Sequence, residues 1–398
     1  MMPEVTKDKI SIECIMASLY FVCLPLTVVS TPFGSVLKLV TFPTLAVLMC
    51  SVLMGRNRLV FNYVHFTYFI YALYTLMQLV IYRSELTDVT SRDMMLGALA
   101  FMLISLRVYN KREKELMEWA WIIVGVICIF AVLTSKEVMN EYEDRAVIRI
   151  FGYEEDQNQF CAYFIMAVII SMKRIVERRR FMPLYFLLIV LVLYSILKTG
   201  SRGGLIGVVL GAASYIMIGI KSVKAKVIIC LSAVIVALIV VTVVFPLLPE
   251  TVQKRYSVEQ VEEDGGSGRF EIWECLLDYT FEKPERIIFG SGLLSSYEIT
   301  ANSPKKVHVG VAHNTFIQVF SDQGLIGLIL FLFCIMACIK RPLRTEKAYT
   351  CGFIALMAFA MSLTFYVFKP YLNIMMMCAM SFEGSLPENR LTKQSEKG

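Results

Sequence analysis

The stretch HNTFIQVFSDQGLIGLILFLF, residues 313–333, decides the fold class of this chain. It starts with a histidine and a few polar residues, and from Leu325 onward it is almost entirely apolar. Apolar residues continue to about residue 339, and a membrane-crossing helix needs about 20 of them. Residues 314–339 therefore predict one long membrane span. His313 lies at the N-terminal end of this span, where a long polar loop ends and an imidazole can exchange protons with water.

The whole chain has the composition of an integral membrane protein. Of its 398 residues, 57% are hydrophobic and 18% are charged, which is unlike a soluble domain of this size. No small-residue cleavage site follows the first apolar segment, so we expect that segment to remain in the protein. About twelve transmembrane helices are predicted, at residues 14–31, 36–54, 60–82, 94–106, 116–134, 158–172, 181–197, 203–220, 226–246, 314–339, 349–368 and 371–382.

Lysine and arginine collect in alternate loops, as the positive-inside rule expects for cytoplasmic loops. The other loops are balanced or acidic, most clearly residues 135–157. We therefore expect both termini in the cytoplasm, and we attribute the net charge of +6 to topology rather than to nucleic-acid binding. The basic loops contain Arg56 and Arg58; Arg107, Lys111, Arg112 and Lys114; Lys173, Arg174, Arg178, Arg179 and Arg180; Lys221, Lys224 and Lys226; and Lys340, Arg341, Arg344 and Lys347.

These features predict an all-α polytopic membrane protein with five parts along the chain. The parts are transmembrane helices 1–5 (residues 1–134), helices 6–9 with an outer acidic loop and a glycine-rich turn (135–246), one large extracytoplasmic loop (247–312), helices 10–12 (313–382) and a cytoplasmic tail (383–398).

Cysteine and histidine spacing indicates neither a disulfide framework nor a transition-metal site. Only Cys275 of the eleven cysteines lies outside the apolar stretches, and no Cys or His pair has the spacing of zinc ligands. The acidic stretch 154–156 leaves a divalent-cation site open, although a solvated loop that caps a helix is the simpler interpretation. We expect His65 to be packed inside a span, and we keep His308 as a backup base.

The large loop, from about Pro246 to Ala312, is much longer than the other connections, and long loops often carry function. Residues 253–268 are polar and end in a glycine-rich run, which predicts a flexible hinge. Residues 269–281 predict an amphipathic helix that starts at Ser267 or Gly268 and lies on the outer membrane surface. Its apolar side chains at helical spacing are Phe270, Trp273, Leu277 and Phe281.

Two arginines on the outer side run against the orientation signal, so each requires a specific reason. Arg202 lies in the turn KTGSRGG, residues 198–204, where glycines allow a ligand to approach the backbone. Arg269 opens the amphipathic helix. Each arginine taken alone could be an interfacial anchor. With His313 on the same face, they favour an anion site, because helix N-termini and guanidinium groups both attract negative charge.

Several short motifs carry a resemblance to a known family. In chain order they are Asp156-Gln157-Asn158; Thr199-Gly200-Ser201-Arg202-Gly203-Gly204; Ser267-Gly268-Arg269 with Trp273; Gly290-Ser291-Gly292; and His313-Asn314 with Gly324 and Gly327. In this order the motifs resemble the bacterial O-antigen ligase and polymerase family, over about residues 152–333. One departure is Gln323, where the family often has glutamate.

The resemblance implies transfer of a glycan from an undecaprenyl-pyrophosphate carrier to an acceptor sugar, on the outer face of the bacterial cytoplasmic membrane. It implies no cofactor and no metal ion, and a GT-C-like polytopic glycosyltransferase architecture with the large loop over a lipid-accessible groove. The expected partners are the lipid-linked donor, the glycan acceptor and the bilayer, with a chain-length regulator as an optional one and no nucleic acid.

The family's essential histidine and arginines correspond to His313, Arg202 and Arg269, which are the expected catalytic residues. The expected substrate-binding residues are Asn158, Lys198, Ser201, Gly203, Trp273 and Asn314. Arginine suits pyrophosphate because it binds phosphate oxygens bidentately and stays charged. A neutral imidazole suits removal of the proton from a sugar hydroxyl. The chemistry that we expect is direct displacement with inversion at the anomeric carbon.

Within this family we prefer a polymerase of O-antigen, capsule or exopolysaccharide repeat units, because nothing in the sequence suggests a dedicated lipid A core site. A ligase that moves a finished glycan to lipid A core or another surface acceptor is the alternative. A polysaccharide transporter or flippase is a more distant alternative, since twelve helices with both termini inside are also a transporter plan. Against it, the ionisable residues gather at one face instead of at the midplane.

Overall fold

The computed structural model describes residues 9–56, 58–82, 85–135, 139–140, 143–146, 148–178, 180–257, 268–305, 307–365 and 369–384. Within these ranges the chain is mostly helical, and its strands form four short two-stranded ribbons. Several helices are long and apolar enough to cross a membrane. The predicted class, an all-helical polytopic membrane protein, is confirmed in this form.

Residues 135–156 and the large loop form the longest connections between the helices of the bundle. In chain order they are α1 (Ile12–Val22), α2 (Val36–Leu53), α3 (Tyr63–Ile81), α4 (Glu85–Ser105), α5 (Lys111–Thr134), α6 (Gln157–Cys161), α7 (Phe164–Val176), α8 (Met182–Lys198), α9 (Arg202–Ser214), α10 (Val223–Ile239), α11 (Glu250–Arg255), α12 (Arg269–Phe281), α13 (Pro284–Phe289), α14 (Ser296–Ala301), α15 (Thr315–Thr345), α16 (Lys347–Ala360) and α17 (Lys369–Ala379). Helices α9 and α10 continue into π-helical turns at Tyr215–Gly219 and Val240–Val244.

The strands are short and close the loops at the helix ends. β1 (Ser30–Thr31) pairs with β2 (Gly34–Ser35), β4 (Met139–Asn140) with β5 (Glu143–Ala146), and β6 (Ile148–Ile150) with β7 (Tyr153–Glu155), all antiparallel. β3 (Val108–Tyr109) and β8 (Ser381–Phe382) are parallel.

Seven helical stretches of the described chain have the length and composition of membrane spans: Val36–Leu53, Tyr63–Ile81, Lys111–Thr134, Gln157–Val176, Arg202–Gly219, Val223–Leu247 and Thr315–Thr345. The apolar helices α1, α8 and α16 are shorter. Helix α10 buries none of its residues although nearly all are apolar, an arrangement that favours lipid rather than water around it. Each of the twelve predicted segments overlaps a helix, while a count of twelve spans stays a prediction.

The basic loops all lie at one end of the helical bundle, which we call the basic end. Ser11, just before α1, donates a hydrogen bond to Glu113 at the start of α5. The Val60 N–H donates to the Leu106 carbonyl at 2.7 Å and joins two of the basic loops. Strand β8, next to the last described residues, pairs with β3 in one of these loops. Both ends of the described chain therefore lie at the basic end, as the loop charges predict.

A buried ionic cluster holds the helices together at the basic end. The Lys173 ammonium on α7 lies 2.6 Å from a Glu118 oxygen on α5 and 3.3 Å from a Glu346 oxygen between α15 and α16. Lys114 also pairs with Glu346, and the Tyr349 hydroxyl donates to Glu118 at 3.2 Å. Charges this deep are tolerated only when they are paired and hydrogen-bonded, so the cluster fixes α5, α7, α15 and α16 relative to one another.

The predicted span over residues 314–339 coincides with the candidate span Thr315–Thr345, but the helix α15 that forms it is broken at Gly324. This glycine has φ +66° and ψ −167°, a conformation that residues with a Cβ hardly ever adopt. Gly324 crosses the backbone of Gly290 in the large loop so closely that a Cβ on either residue would overlap main-chain atoms of the other segment. The Ser291 and Gly292 N–H groups donate to the carbonyls of Ser321 and Asp322 at 3.0 and 2.8 Å. We call this contact the glycine crossing.

Side chains of α3 support the glycine crossing from within the bundle. A broken helix leaves carbonyls that need new donors, because a membrane offers none. The Tyr74 hydroxyl donates to the Gln323 carbonyl at 2.9 Å, and the Gln78 amide donates to the Phe289 carbonyl at 2.7 Å. The start of α15 is thereby tied to the large loop on one side and to a membrane helix on the other.

The predicted amphipathic helix exists as α12 with the expected bounds, and it packs a second face inside the protein. Its buried residues are Ile272, Cys275, Leu276 and Thr280, which pack against α14 and the start of α15. Of the predicted apolar stripe, Phe270 and Phe281 are 57% and 59% exposed, while Trp273 and Leu277 are half-buried and Trp273 packs against the same cluster. The helix has apolar residues on two faces, and the face with Ile272, Cys275 and Leu276 is the one that packs inside the protein. Its position on the membrane surface stays a prediction.

Candidate active site

The glycine-rich turn lies at the end of the bundle opposite the basic end. Helix α8 ends at Lys198, and α9 begins at Arg202 after Ser201, whose hydroxyl caps the helix by accepting the Gly204 N–H at 3.2 Å. A Cβ on Gly203 would overlap Ser362, and one on Gly204 would overlap Cys161. The turn is therefore wedged between α6 and the segment that follows α16, and only glycine fits at these two positions.

The Arg202 side chain reaches the large loop. Its Nε donates to the carbonyl of Arg255, at the end of α11, at 2.7 Å. The Arg255 side chain in turn lies over Gly200, within 3.1 Å of where a Cβ would stand. The turn thus gathers two guanidinium groups, of which sequence analysis predicted only the first. Arg255 could have been recognised in the same way as Arg202, because it is also a cation at the end of the bundle opposite the basic end.

Residues 253–257 do not form the predicted flexible hinge. They belong to α11 and its end, which pack on α8 through an apolar cluster of Leu197, Leu248 and Val252. The Tyr256 hydroxyl also donates to the Leu197 carbonyl at 3.4 Å. Packing against α8 orders this stretch despite its polar composition. Residues 258–267, the remainder of the predicted hinge except Gly268, lie outside the described ranges.

His313 stands between the large loop and α15 in a left-handed backbone conformation, with φ +48°. Such a conformation is uncommon in a residue with a Cβ and is concentrated at functional sites. Asn314 follows as the N-cap of α15, and its side-chain oxygen accepts the N–H groups of Phe316 and Ile317 at 3.0 and 3.2 Å. The predicted position of His313, at a helix start on the acidic side, is where the structure has it.

The residue before His313 is held at both of its polar backbone atoms. The Ala312 N–H donates to the side-chain oxygen of Gln318 at 2.7 Å, and the Ala312 carbonyl accepts the indole N–H of Trp273 at 2.6 Å. Trp273 lies one helical turn after Arg269 on α12. Trp273 therefore connects α12, the helix that begins with Arg269, to the residue next to His313.

Asp322 is a completely buried carboxylate that sequence analysis missed. Its oxygens accept the Leu294 N–H at 2.9 Å and contact the Ser295 hydroxyl at 3.1 Å. The Gln318 amide nitrogen lies 3.0 Å from each of the two oxygens. Sequence analysis looked for an acid only at Gln323, the family position. The i, i+4 spacing of Gln318 and Asp322 was the available signal.

The segment after α16 joins the two parts of the site. The Thr315 hydroxyl donates to the Leu363 carbonyl at 2.6 Å, and the Phe365 N–H donates to Thr315 at 2.9 Å. The neighbouring Ser362 is the residue against which Gly203 packs. Residues 362–365 therefore touch both the Arg202 turn and the helix that begins after His313.

The remaining predicted substrate-binding residues lie around the same end, and several already have protein partners. Asn158 is 9% exposed on α6, one turn before the cysteine that packs on Gly204. Lys198 points to α5, where its ammonium donates to the Val132 carbonyl at 3.4 Å. Trp273 and Asn314 use their polar atoms in the contacts described above. A substrate role for these residues stays a prediction.

The acidic loop has structural contacts of its own. Glu154 pairs with Arg149 at 2.7 Å across β6 and β7, and Asp156 caps α6 by accepting the Gln159 N–H at 2.8 Å. Among the described residues, no three His, Cys, Asp or Glu side chains are placed to share a metal ion. These contacts support the interpretation of a helix-capping loop.

Neither of the other histidines joins His313. His65 is buried at the basic end, where its Nδ1 accepts the Asn62 N–H at 3.1 Å and its Nε2 lies 2.9 Å from the Ser105 hydroxyl, so the predicted packed role is confirmed. His308 is exposed in the connection between α14 and α15. In the same connection, hydrogen bonds to Glu274 and Asp278 raise the pKa of Lys305 and tie the connection to α12.

An apolar cavity of about 550 Å³ lies beside the large loop, between α1, α2, α3, α4 and α17. Polar groups are few in its wall, and the Lys38–Asp93 ion pair, with a distance of 2.7 Å, is among them. Leu294, whose N–H is bound by Asp322, contributes the loop's part of the lining. The cavity has the chemistry of a site for hydrocarbon.

Taken together, the chain is a multi-pass helical membrane protein whose candidate site lies where a large loop meets the helix ends. Residues 187–332, from α8 through the loop to α15, match the family model described as O-antigen ligase. No curated protein matches the chain. The matched range contains Arg202, Arg269 and His313, and the predicted resemblance to the O-antigen ligase and polymerase family is confirmed over this range.

Proposed function

We propose that this protein transfers a glycan from an undecaprenyl-pyrophosphate carrier to a sugar hydroxyl on the extracytoplasmic face of a bacterial inner membrane. The observation that carries the proposal is the contact of residues 362–365 with both the Arg202 turn and the start of α15. It brings a cationic turn and a histidine to one end of the bundle, inside the region that matches O-antigen ligase.

The orientation follows from the two ends of the bundle. The basic end holds both ends of the described chain, and the positive-inside rule assigns such an end to the cytoplasm. The candidate site then faces outward, where a lipid-linked donor is available after it has crossed the membrane. The apolar cavity beside the loop offers room for hydrocarbon of the carrier at this level.

The arginines of the turn are suited to the pyrophosphate. Negative charge grows on the leaving pyrophosphate as its bond to the anomeric carbon breaks. Arg202 stands at the N-terminus of α9, where free N–H groups and the helix dipole add to the guanidinium charge, and Arg255 lies beside it. A preorganised donor aimed at developing charge contributes about 3 to 4 kcal/mol to lowering the barrier. We assign the same task to Arg269.

His313 is suited to act as the base. The acceptor hydroxyl attacks the anomeric carbon, its proton passes to the imidazole, and the pyrophosphate leaves with the bonding electrons. A base in this position contributes about 10² to 10⁴ in rate. A direct displacement of this kind inverts the anomeric centre and needs no covalent glycosyl-enzyme intermediate.

The test uses purified protein in nanodiscs and a lipid-linked repeat unit as donor. We expect His313→Ala to lower kcat by about 10² to 10⁴ and Arg202→Ala by about 10² to 10³. Arg202→Lys should recover only part of the loss, because lysine lacks the bidentate geometry. The matched control is Arg286→Ala, which removes an arginine of the large loop that binds Glu282 and Tyr279 and should leave kcat unchanged. Near wild-type activity of His313→Ala would refute the base.

A repeat-unit polymerase is the preferred reaction, because no described feature forms a dedicated site for lipid A core. A ligase is the second candidate, and the description of the matching family favours it. Both reactions use the same donor and the same bond change, so they differ only in the acceptor that enters opposite the pyrophosphate.

A further inference from the structure

We propose that Gln318 and Asp322 are positioning residues that hold His313 in its reactive place through the backbone of Ala312. The inference rests on the proposed function of His313 as the group that meets the acceptor hydroxyl. It concerns two residues outside the motifs that carry the family resemblance, and it gives Trp273 a role other than substrate contact.

The first step is the clamp on Ala312. Gln318 binds its N–H at 2.7 Å and Trp273 binds its carbonyl at 2.6 Å, so the peptide planes on both sides of Ala312 are fixed. The second of these planes leads directly into His313. Its left-handed backbone, with φ +48°, is unfavourable for a residue with a Cβ and persists only where neighbouring contacts impose it.

The second step is the orientation of Gln318. An amide group can bind in two orientations, and only one of them presents its oxygen to the Ala312 N–H. Asp322 selects that orientation, because its carboxylate accepts hydrogen bonds and lies 3.0 Å from the Gln318 nitrogen. Ser296 lies 2.9 Å from the same nitrogen. A reversed amide would place oxygen against the carboxylate and NH₂ against the Ala312 N–H.

The third step is the anchorage of Asp322 itself. Its oxygens bind the N–H of Leu294 and the hydroxyl of Ser295 in the large loop, and its own backbone carbonyl accepts the Gly292 N–H at the glycine crossing. The relay therefore runs from the best-fixed point of the loop to the residue next to His313. Gln318 and Asp322 are both completely buried, and burial makes a misoriented partner costly.

This arrangement predicts a loss in kcat rather than in donor binding. Displacement of a catalytic group by about 1 Å can lower the rate about 10²-fold, while the arginines that hold the pyrophosphate are on other elements. We expect Asp322→Asn and Gln318→Glu each to lower kcat about 10- to 100-fold and to change KM for the lipid-linked donor less than about twofold.

The double variant Asp322→Asn with Gln318→Glu provides the sharpest test, because it reverses the polarity of the relay and keeps its shape. The new glutamate can still accept the Ala312 N–H, and its second oxygen can accept the new asparagine amide. The asparagine oxygen can accept the Leu294 N–H. We expect the double variant to recover kcat to within about threefold of wild type.

Trp273→Phe tests the other side of the clamp, because it removes the indole N–H and keeps an aromatic ring. We expect kcat to fall about 10-fold with KM unchanged, whereas a substrate-contact role would raise KM. The matched control is Trp121→Phe, which changes a buried tryptophan of α5 that packs beside Phe21 and does not touch Ala312. It should lower the melting temperature and leave kcat per folded protein unchanged.

Several outcomes would overturn the inference. One is wild-type kcat in the folded single variants; another is a folded double variant that stays as inactive as the singles. If the singles do not fold, Trp273→Phe decides, and an unchanged kcat refutes the clamp. Failure of the proposed function is distinguishable, because His313→Ala would then be active whatever the relay variants do.

Discussion

Gly290 and Gly324 occupy positions where the backbones of two segments touch. A Cβ on either residue would overlap main-chain atoms, which cannot move aside as a side chain can, and both glycines have positive φ. We expect Gly290→Ala and Gly324→Ala each to abolish the folded protein or to lower its melting temperature sharply in detergent. Both changes combine steric overlap with backbone strain.

Gly55→Ala is the matched control for this prediction. Gly55 also has positive φ, +63°, but no atom lies within 4 Å of its missing Cβ. Its substitution therefore adds only the left-handed strain, about 1 to 2 kcal/mol. If Gly324→Ala were no less stable than Gly55→Ala, the crossing would not have the importance that the geometry gives it.

Single residues could be predicted from the sequence where their role depends on residues that are near in the chain. Asn314 is a helix cap and His313 stands before it, and both positions follow from a polar-to-apolar boundary. The left-handed conformation of His313 could not be predicted, because it depends on Trp273, 39 residues away from Ala312. Arg255 had the same charge signal as Arg202 and was overlooked, but its contact with the glycine-rich turn depends on the packing of α11 on α8.

At the scale of elements, we expect the ionic cluster at the basic end to contribute to the stability of the protein and not to its activity. Glu118→Ala removes a carboxylate from the buried Arg174 and leaves Lys173 only its longer ion pairs with Glu346 and Glu177. Breaking a buried pair in this way costs about 3 to 5 kcal/mol. We expect a lower melting temperature in detergent and an unchanged kcat for the folded fraction, because the cluster lies at the opposite end from the site.

Glu154→Ala is the control for the ionic cluster. It breaks the ion pair with Arg149. The side chains of Arg149 and Glu154 are 44% and 61% exposed, and exposed ion pairs contribute about 0 to 1 kcal/mol to stability. Equal effects of Glu118→Ala and Glu154→Ala on the melting temperature would contradict the buried character of the cluster.

Elements were predicted well where hydrophobicity alone defines them and less well where packing does. Each predicted apolar segment overlaps a helix, yet the break in α15 escaped detection because an average over apolar residues does not register one glycine with a special backbone conformation. The face of α12 that packs inside the protein was not predicted. Both faces of this helix carry apolar residues, and only the contacts with α14 and α15 decide between them.

At the scale of the whole molecule, the bundle has two chemically different ends, and the proposed reaction belongs to one of them. A deletion strain tests the reaction and its acceptor together. We expect surface glycan of single repeat length, because a polymerase joins repeat units after they reach the outer face. The measurement is the glycan ladder on gels, together with extraction of lipid-linked intermediates.

Two other results would contradict the polymerase assignment. Lipid-linked polymer that accumulates on the outer face would identify a ligase, since the polymer would then form but fail to reach its acceptor. Lipid-linked repeats trapped on the cytoplasmic leaflet would identify a transporter. Reintroduction of the wild-type gene, and of His313→Ala alongside it, controls for effects on neighbouring genes.

The glycine crossing also has a consequence for how such a protein can diversify. Because the crossing is built from main-chain atoms and from side chains of α3 and α15, the attachment of the loop does not depend on the side chains that the loop presents to sugars. Exposed residues of α12, α14 and the connection to α15 can change one by one while the attachment keeps its geometry. The saccharide specificity of an ancestral protein could thus change while its fold stays the same.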